Sequence, residues 1–180
     1  MKCKLLFSGI SGQGISTIGE ILRDSAFKSN YYVNYLTFYG QPEHNGRVMC
    51  SISISDEEVT PTISGVDVML IMDEGSLDDY QKLMAKDGTL ILNSSTINIE
   101  PTCRCGSVHK FPFCKIAEEA AAPQSANMVA LGYIAKLLPM IPYEWLTTEL
   151  EAAFVKKPEL IAVNLEAMKR GYELMFNEQN

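Results

Sequence analysis

"FSGISGQGIS", Phe7 to Ser16, is the stretch on which the reading of this chain turns. The apolar run "CKLLF" leads into Gly9, Gly12 and Gly14, and apolar residues at helical spacing follow. Strand, glycine turn and helix together bring free backbone N–H groups close to a phosphate or carboxylate. Two familiar glycine patterns fail here at different residues. A dinucleotide fingerprint needs G-x-G-x-x-G and, about twenty residues on, an acid for the ribose hydroxyls. Ser11 occupies the second glycine position, and "YYVNYLTFYG" holds no Asp or Glu. The P-loop spacing is met by Gly9 and Gly14, with Ser16 at the metal-hydroxyl position, but Ile15 stands where a lysine must neutralise phosphate. Two readings remain: an anion cradle, or a tight turn that lets a helix pack on a sheet.

The neighbouring segments extend the pattern. "STIGEILRDSAFKS" reads as a helix burying Ile18, Ile21, Leu22, Ala26 and Phe27, and "YYVNYLTF" as the next strand. "RVMCSISIS" alternates strictly, with Val48, Cys50, Ile52 and Ile54 on one face, and "VDVMLIM" has the continuous apolarity of a strand covered on both sides. "SLDDYQKLMAKDG" predicts a helix capped by Ser76 and ended by Gly88, and "TLILNSS" a further strand. The order implies an α/β fold with an open, mostly parallel, Rossmann-like sheet and helices on both faces. An antiparallel excursion falls at "RVMCSISIS". From Cys114 on the chain reads as helical, and in its last helix Ile161, Leu165, Met168, Tyr172 and Met175 form a stripe. No linker or repeat interrupts it. One domain over 1–180 is expected, with a sheet portion over 1–113 and a mainly helical portion over 114–180.

Composition narrows the function. With 180 residues, 47% hydrophobic, the chain can bury a core without staples. The net charge of -7 argues against nucleic acid and anionic membranes as partners, and no apolar run spans a bilayer. Five cysteines without an export signal suggest reduced thiols and a cytoplasmic location. Cys103 and Cys105 form C-x-C, with Cys114 nine residues on, which is neither zinc nor iron–sulfur spacing, so no metal site is expected. No catalytic residue is assigned.

A second unusual stretch, "FYGQPEHNGRV", lies between two strands and is rich in polar residues, Gly and Pro. Its Tyr39, Glu43, His44 and Asn45 are expected at the same sheet edge as the glycine loop, forming a ligand cleft at the topological switch point; a surface hairpin is the plainer reading. His44 has no sequence-adjacent partner of catalytic spacing, and His109 in "GSVHKFP" reads as a strand-end residue.

Together these segments resemble the gamma subunit, or gamma domain, of the 2-oxoacid:ferredoxin (acceptor) oxidoreductases of the pyruvate/ketoisovalerate type. The family's opening G-x-G-G-Q-G is matched by Gly9-Ile10-Ser11-Gly12-Gln13-Gly14, with Ser11 for a glycine. Its S-Y-G-P-E-x-R-G-G is echoed by "YGQPEHNGR": Pro42, Glu43 and Gly46 match, and Tyr39-Gly40 match if Gln41 is an insertion. Asn45 stands for the arginine and Arg47 for the last glycine. Arg47 either restores that positive charge or is turned elsewhere by strand alternation. "GVDVMLIMD", "SANMVALGYIAKL" and "KKPELIAVNLEAMKRGYE" extend the resemblance over nearly the whole chain.

The resemblance implies a non-catalytic subunit of a complex that oxidatively decarboxylates a 2-oxoacid to an acyl-coenzyme A. Thiamine diphosphate and iron–sulfur clusters would lie on alpha-, beta- and delta-type partner subunits, and ferredoxin would be an indirect partner. It also implies a shared coenzyme A site. Gly9, Ser11, Gly12, Gln13 and Gly14 would line its anionic end, Tyr39, Glu43, Asn45 and Gly46 would form a second loop, and Asn127 would be a further contact. The isolated chain could form a homodimer. Rival readings are a stand-alone small-ligand or nucleotide-binding module and a nicotinamide-dependent dehydrogenase.

Overall fold

The computed structural model describes residues 2–40 and 46–175. Six strands, β1 (Lys2–Ile10), β2 (Tyr32–Tyr39), β3 (Arg47–Ser55), β4 (Val66–Ile71), β5 (Met84–Asn93) and β6 (Ser107–Phe111), form one sheet in the order β2-β3-β1-β4-β5-β6. β1, β4, β5 and β6 run parallel; β3 is antiparallel to both β1 and β2, the expected excursion. The helices are α1 (Ile15–Lys28), α2 (Glu74–Tyr80), α3 (Phe113–Glu119), α4 (Ala126–Leu137), α5 (Tyr143–Ala153) and α6 (Ile161–Glu173).

Strand alternation divides the core. Leu5, Phe7, Cys50, Ile52, Ile54, Val68, Leu70 and Ile91 face α1, α3, α4, α5 and α6, whereas Leu6, Met49, Met69, Ile71, Leu90 and Leu92 face Leu77 of α2 and Ile97. α1 docks through Ile15, Ile18, Ile21 and Leu22, all at 2% exposure or less. Each such side chain contributes about 1.5–3 kcal/mol, several times what helix propensity supplies. Phe27 was expected on that face but is 73% exposed, because one position beyond the buried Ala26 the helix has turned about 100° away from it.

Three other expectations are corrected. The helix predicted from Ser76 to Gly88 ends at Tyr80 and passes through a 3-10 turn, Gln81–Leu83, into β5 at Met84. Pairing of Met84 with Val66 overrides the local helical pattern, and a Cβ on Gly88 would come within 2.7 Å of the Val66 carbonyl. His109 lies in the middle of β6, buried, with Nδ1 2.7 Å from the Tyr133 hydroxyl.

In α6 the buried residues are Asn164, Ala167, Met168 and Gly171, while Tyr172 and Met175 are 42% and 72% exposed. The face is set by close approach to α4: a Cβ on Gly132 would lie 1.9 Å from the Met168 carbonyl, and one on Gly171 1.8 Å from that of Val129. Small residues therefore form the closest contact; of the stripe, Met168 is in the core and Leu165 packs against it, while Tyr172 and Met175 lie outside. Among the described residues, no helix is long and apolar enough to cross a membrane.

Candidate functional site

The carboxyl ends of β1, β4, β5 and β6 share one edge of the sheet, together with the end of β2 and the start of β3. The winding of the chain across the sheet reverses between β1, whose helix leads to β2 on one side, and the parallel β4, whose helix leads to β5 on the other. That is the switch point where open α/β sheets form a crevice.

Between β1 and α1, each glycine of the loop answers a different demand. A Cβ on Gly9 would lie 2.3 Å from Gln13 Oε1, so only glycine lets that side chain fold back across the strand end. There Oε1 accepts from Ile10 N–H (2.8 Å) and Nε2 donates to the Met72 carbonyl at the end of β4 (3.2 Å). Gly14 has φ 68° and begins α1 with no side-chain cap. A Cβ there would meet Asn127 Nδ2 at 2.3 Å, and that amide donates to the Gly14 carbonyl (3.2 Å). Gly12 has φ 91°, and a Cβ on it would meet no atom of the described residues within 4 Å. Gln13 and Asn127 are therefore struts whose amides hold the loop from inside, and no described residue crowds the Gly12 side. The first-turn N–H groups of Ile15, Ser16 and Thr17 have no intrahelical acceptor.

The second motif does reach the first. Ser11 N–H donates to the Gly46 carbonyl at 2.9 Å, and Gly46 has φ 58°. Tyr39 is 69% exposed at the end of β2, lining a cleft of about 380 Å³ with Phe38, Gly40, Arg47, Asp79 and Tyr80. Burial and the neighbouring Asp79 push the Tyr80 phenol up, keeping it neutral. Glu43 and Asn45, with Gln41, Pro42 and His44, lie outside the described residues.

Arg47 takes the second of its two expected courses. On the α2 face of the sheet it is ion-paired with Asp79, and its Nε lies 3.8 Å from Asp73 Oδ2. Its guanidinium lies against the backbone of α2, where a Cβ on Gly75 would come within 1.9 Å of Nη2. One cation between two carboxylates offers no net positive charge to the glycine loop.

Asp73, which sequence reasoning missed, is the true cap of α2. It accepts from Ser76 N–H (3.2 Å) and from the Ser76 hydroxyl, which lies 2.9 Å from Ser8 Oγ. An acid just past an apolar strand and three residues before Ser76 was the available signal. Thr96, also missed, donates its hydroxyl to the Met72 carbonyl that receives Gln13 (2.7 Å).

The five cysteines are free. Burial pushes the Cys103 thiol up to about 11, helped by Cys105, whose Sγ is 3.8 Å away. A thiol so protonated is a poor nucleophile at neutral pH. Among the described residues, no group of three or more His, Cys, Asp or Glu could hold a metal ion.

A family model described as "Pyruvate ferredoxin/flavodoxin oxidoreductase" matches residues 4–174. The chain is 26% identical over 174 residues to the ketoisovalerate oxidoreductase subunit VorA of Methanothermobacter thermautotrophicus, covering 94% of this chain and 36% of that one. It thus spans about a third of the length of that relative and of its counterpart in Methanothermobacter marburgensis. With the pyruvate synthase subunit PorC of Thermotoga maritima it is 25% identical over 180 residues, covering 94% and 93%.

Two solved structures share the fold. The gamma subunit of a keto/oxoacid ferredoxin oxidoreductase from Geobacter sulfurreducens has a TM-score of 0.80 at 22% identity, covering 95% of this chain and 96% of that one. The 2-oxoglutarate:ferredoxin oxidoreductase of Magnetococcus marinus, with 2-oxoglutarate, coenzyme A and succinyl-CoA bound, has a TM-score of 0.83 at 22% identity, covering 95% and 30%.

Proposed function

The chain belongs to the pyruvate ferredoxin/flavodoxin oxidoreductase family, and from that footing we propose that it is the gamma-type subunit of a cytoplasmic 2-oxoacid:ferredoxin oxidoreductase. Such an assembly decarboxylates a 2-oxoacid oxidatively and passes the acyl group to coenzyme A, with ferredoxin as electron acceptor. Thiamine diphosphate and the iron–sulfur clusters would fall to alpha-, beta- and delta-type subunits, as the family resemblance implies. This chain contributes its glycine loop and a docking surface. Its sheet and helical portions act as one domain, a reading supported by the packing of α1 against α4 and α5.

One observation carries the site: α1 starts uncapped, behind two left-handed glycines, with no atom of the described residues crowding Gly12. Anionic groups of coenzyme A would take the N–H donors that no described side chain takes, with Ser11, Gly46 and Tyr39 beside them. The helix dipole supplies about half a positive charge. Because Arg47 is held between Asp73 and Asp79, full cationic charge has to come from a partner subunit.

The test is Gly12→Val in the assembled complex, followed by 2-oxoacid-dependent viologen reduction. The KM for coenzyme A rises roughly tenfold, the loss of a well-placed helix-terminus anion contact, while the KM for the 2-oxoacid is unchanged. Equal KM values for coenzyme A in both proteins would reduce the loop to a packing turn.

A further inference from the structure

The two edges of the sheet are built differently. β6 has five residues and carries Lys110, ion-paired with Glu100. β2, "YVNYLTFY", has eight, pairs with β3 without a bulge, and contains neither proline nor a charged residue. Native edge strands are normally blunted by lysine, proline or bulges, because a long flat edge templates pairing with another strand.

Which backbone groups face outward follows from the ladder. Gly40 N–H donates to the Arg47 carbonyl at 2.6 Å and Ser11 N–H to that of Gly46 at 2.9 Å. Hydrogen-bonded pairs alternate in antiparallel ladders, so Tyr32, Asn34, Leu36 and Phe38 bond to β3. Val33, Tyr35, Thr37 and Tyr39 then turn their N–H and C=O groups away from the sheet. Among the described residues these groups have no partner.

We propose that β2 docks on β2 of a second copy of this chain, the strands pairing antiparallel about a two-fold axis at Leu36. A two-fold normal to the sheet keeps every side chain on its own face, so facing residues must share parity. With Leu36 on the axis, Val33 faces Tyr39 and Tyr35 faces Thr37 of the second copy, and every outward group is used. Placing the axis at Tyr35 instead would set Tyr39 against Tyr31, whose N–H is already given to the Ala26 carbonyl at 3.2 Å.

Three further observations favour a second copy. Each chain carries a net charge of -7, and β2 is a strip without charge, so like chains approach there at least electrostatic cost. α1 packs on β3 and β2. Two α1 helices centred over the two β3 strands would stand three strand spacings apart, about 14 Å, beyond the roughly 8–10 Å of packed helices. Pairing of β2 with β6 of another copy would be heterologous and open-ended, against a strand three residues shorter. The pairing also covers Tyr32 and Phe38, which are 55% and 50% exposed.

This inference does not rest on the oxidoreductase reading. Sedimentation equilibrium of the full chain at about 100 μM, a concentration that detects the weaker class of specific dimers, should give twice the 20.0 kDa chain mass. Leu36→Cys should form a covalent dimer under mild oxidation, since it faces itself in a non-hydrogen-bonded pair, whereas Asn34→Cys should not. Leu36→Lys should sediment as a folded monomer with an unchanged circular dichroism spectrum. A monomeric wild type, or a dimer that survives Leu36→Lys while Leu36→Cys stays uncrosslinked, would overturn the proposal.

Discussion

The turns that follow β1 and β4 lie side by side on the same sheet edge, and each begins a helix, yet they are finished in opposite ways. After β4, Asp73 closes the start of α2 by accepting from Ser76 and stands beside Arg47, so donors, acceptors and charges are matched within the chain. After β1, α1 starts at a left-handed glycine with no cap, while the polar side chains nearby, Gln13 and Asn127, turn inward to brace the loop. Among the described residues, the chain satisfies one helix terminus and leaves its neighbour uncapped. On the proposed reading that contrast distinguishes the two turns better than glycine content does, since Gly75 sits in the closed turn as well.

The largest effect that could break the contrast comes from Gly14→Ala. It places a side chain at φ 68° and 2.3 Å from the Asn127 amide, a combination of backbone strain and displaced hydrogen bonding expected to cost about 2–4 kcal/mol. Urea unfolding measures it, and a loss below about 0.5 kcal/mol, the level of an ordinary surface substitution, would mean the loop relaxes freely. Asp73→Ala comes next, at about 1 kcal/mol for a lost cap, with the KM for coenzyme A unaltered, because α2 is not the anion's seat. A larger effect on that KM than on stability would make the two turns equivalent.

The smallest effect is at Cys3, at the far end of β1 from both turns. Burial pushes its thiol from 9.0 up to about 12, with Asp67 adding to the shift. The unfolded chain ionises first, so the stability held by the neutral thiol is complete below pH 9.0 and is lost as pH rises toward about 12. Cys3→Val should flatten that alkaline fall in the urea midpoint, equally with and without coenzyme A.

Much of this was legible in the sequence where local pattern and tertiary need agree. β1 to β4, α1 and the placing of the two glycine-punctuated loops at one sheet edge follow from apolar runs, alternation and turn residues; the Ser11–Gly46 hydrogen bond between those loops does not. Where tertiary contact decided, the sequence misled. Gly88 looked like a helix stop, but it is a strand residue pressed against the Val66 carbonyl. The apolar stripe of α6 is a packing face only in part: Met168 and Leu165 pack on the core, but the close approach of backbones at Gly132 and Gly171 leaves Tyr172 and Met175 exposed. In the site itself, residue types were readable and their orientation was not. Gln13 and Asn127 have the chemistry of ligand contacts, yet their amides brace the loop; Arg47 has the charge of one, yet two carboxylates of the chain hold it.

The central claim is that anions reach the start of α1 and not that of α2. Amide chemical shifts during titration of the nitrogen-15-labelled chain with coenzyme A address it directly. The N–H resonances of Gly12, Gly14, Ile15 and Ser16 should move in a saturable way while those of Glu74, Gly75 and Ser76 stay in place. Saturable movement at Glu74 to Ser76 with Gly12 to Ser16 unmoved would contradict the account.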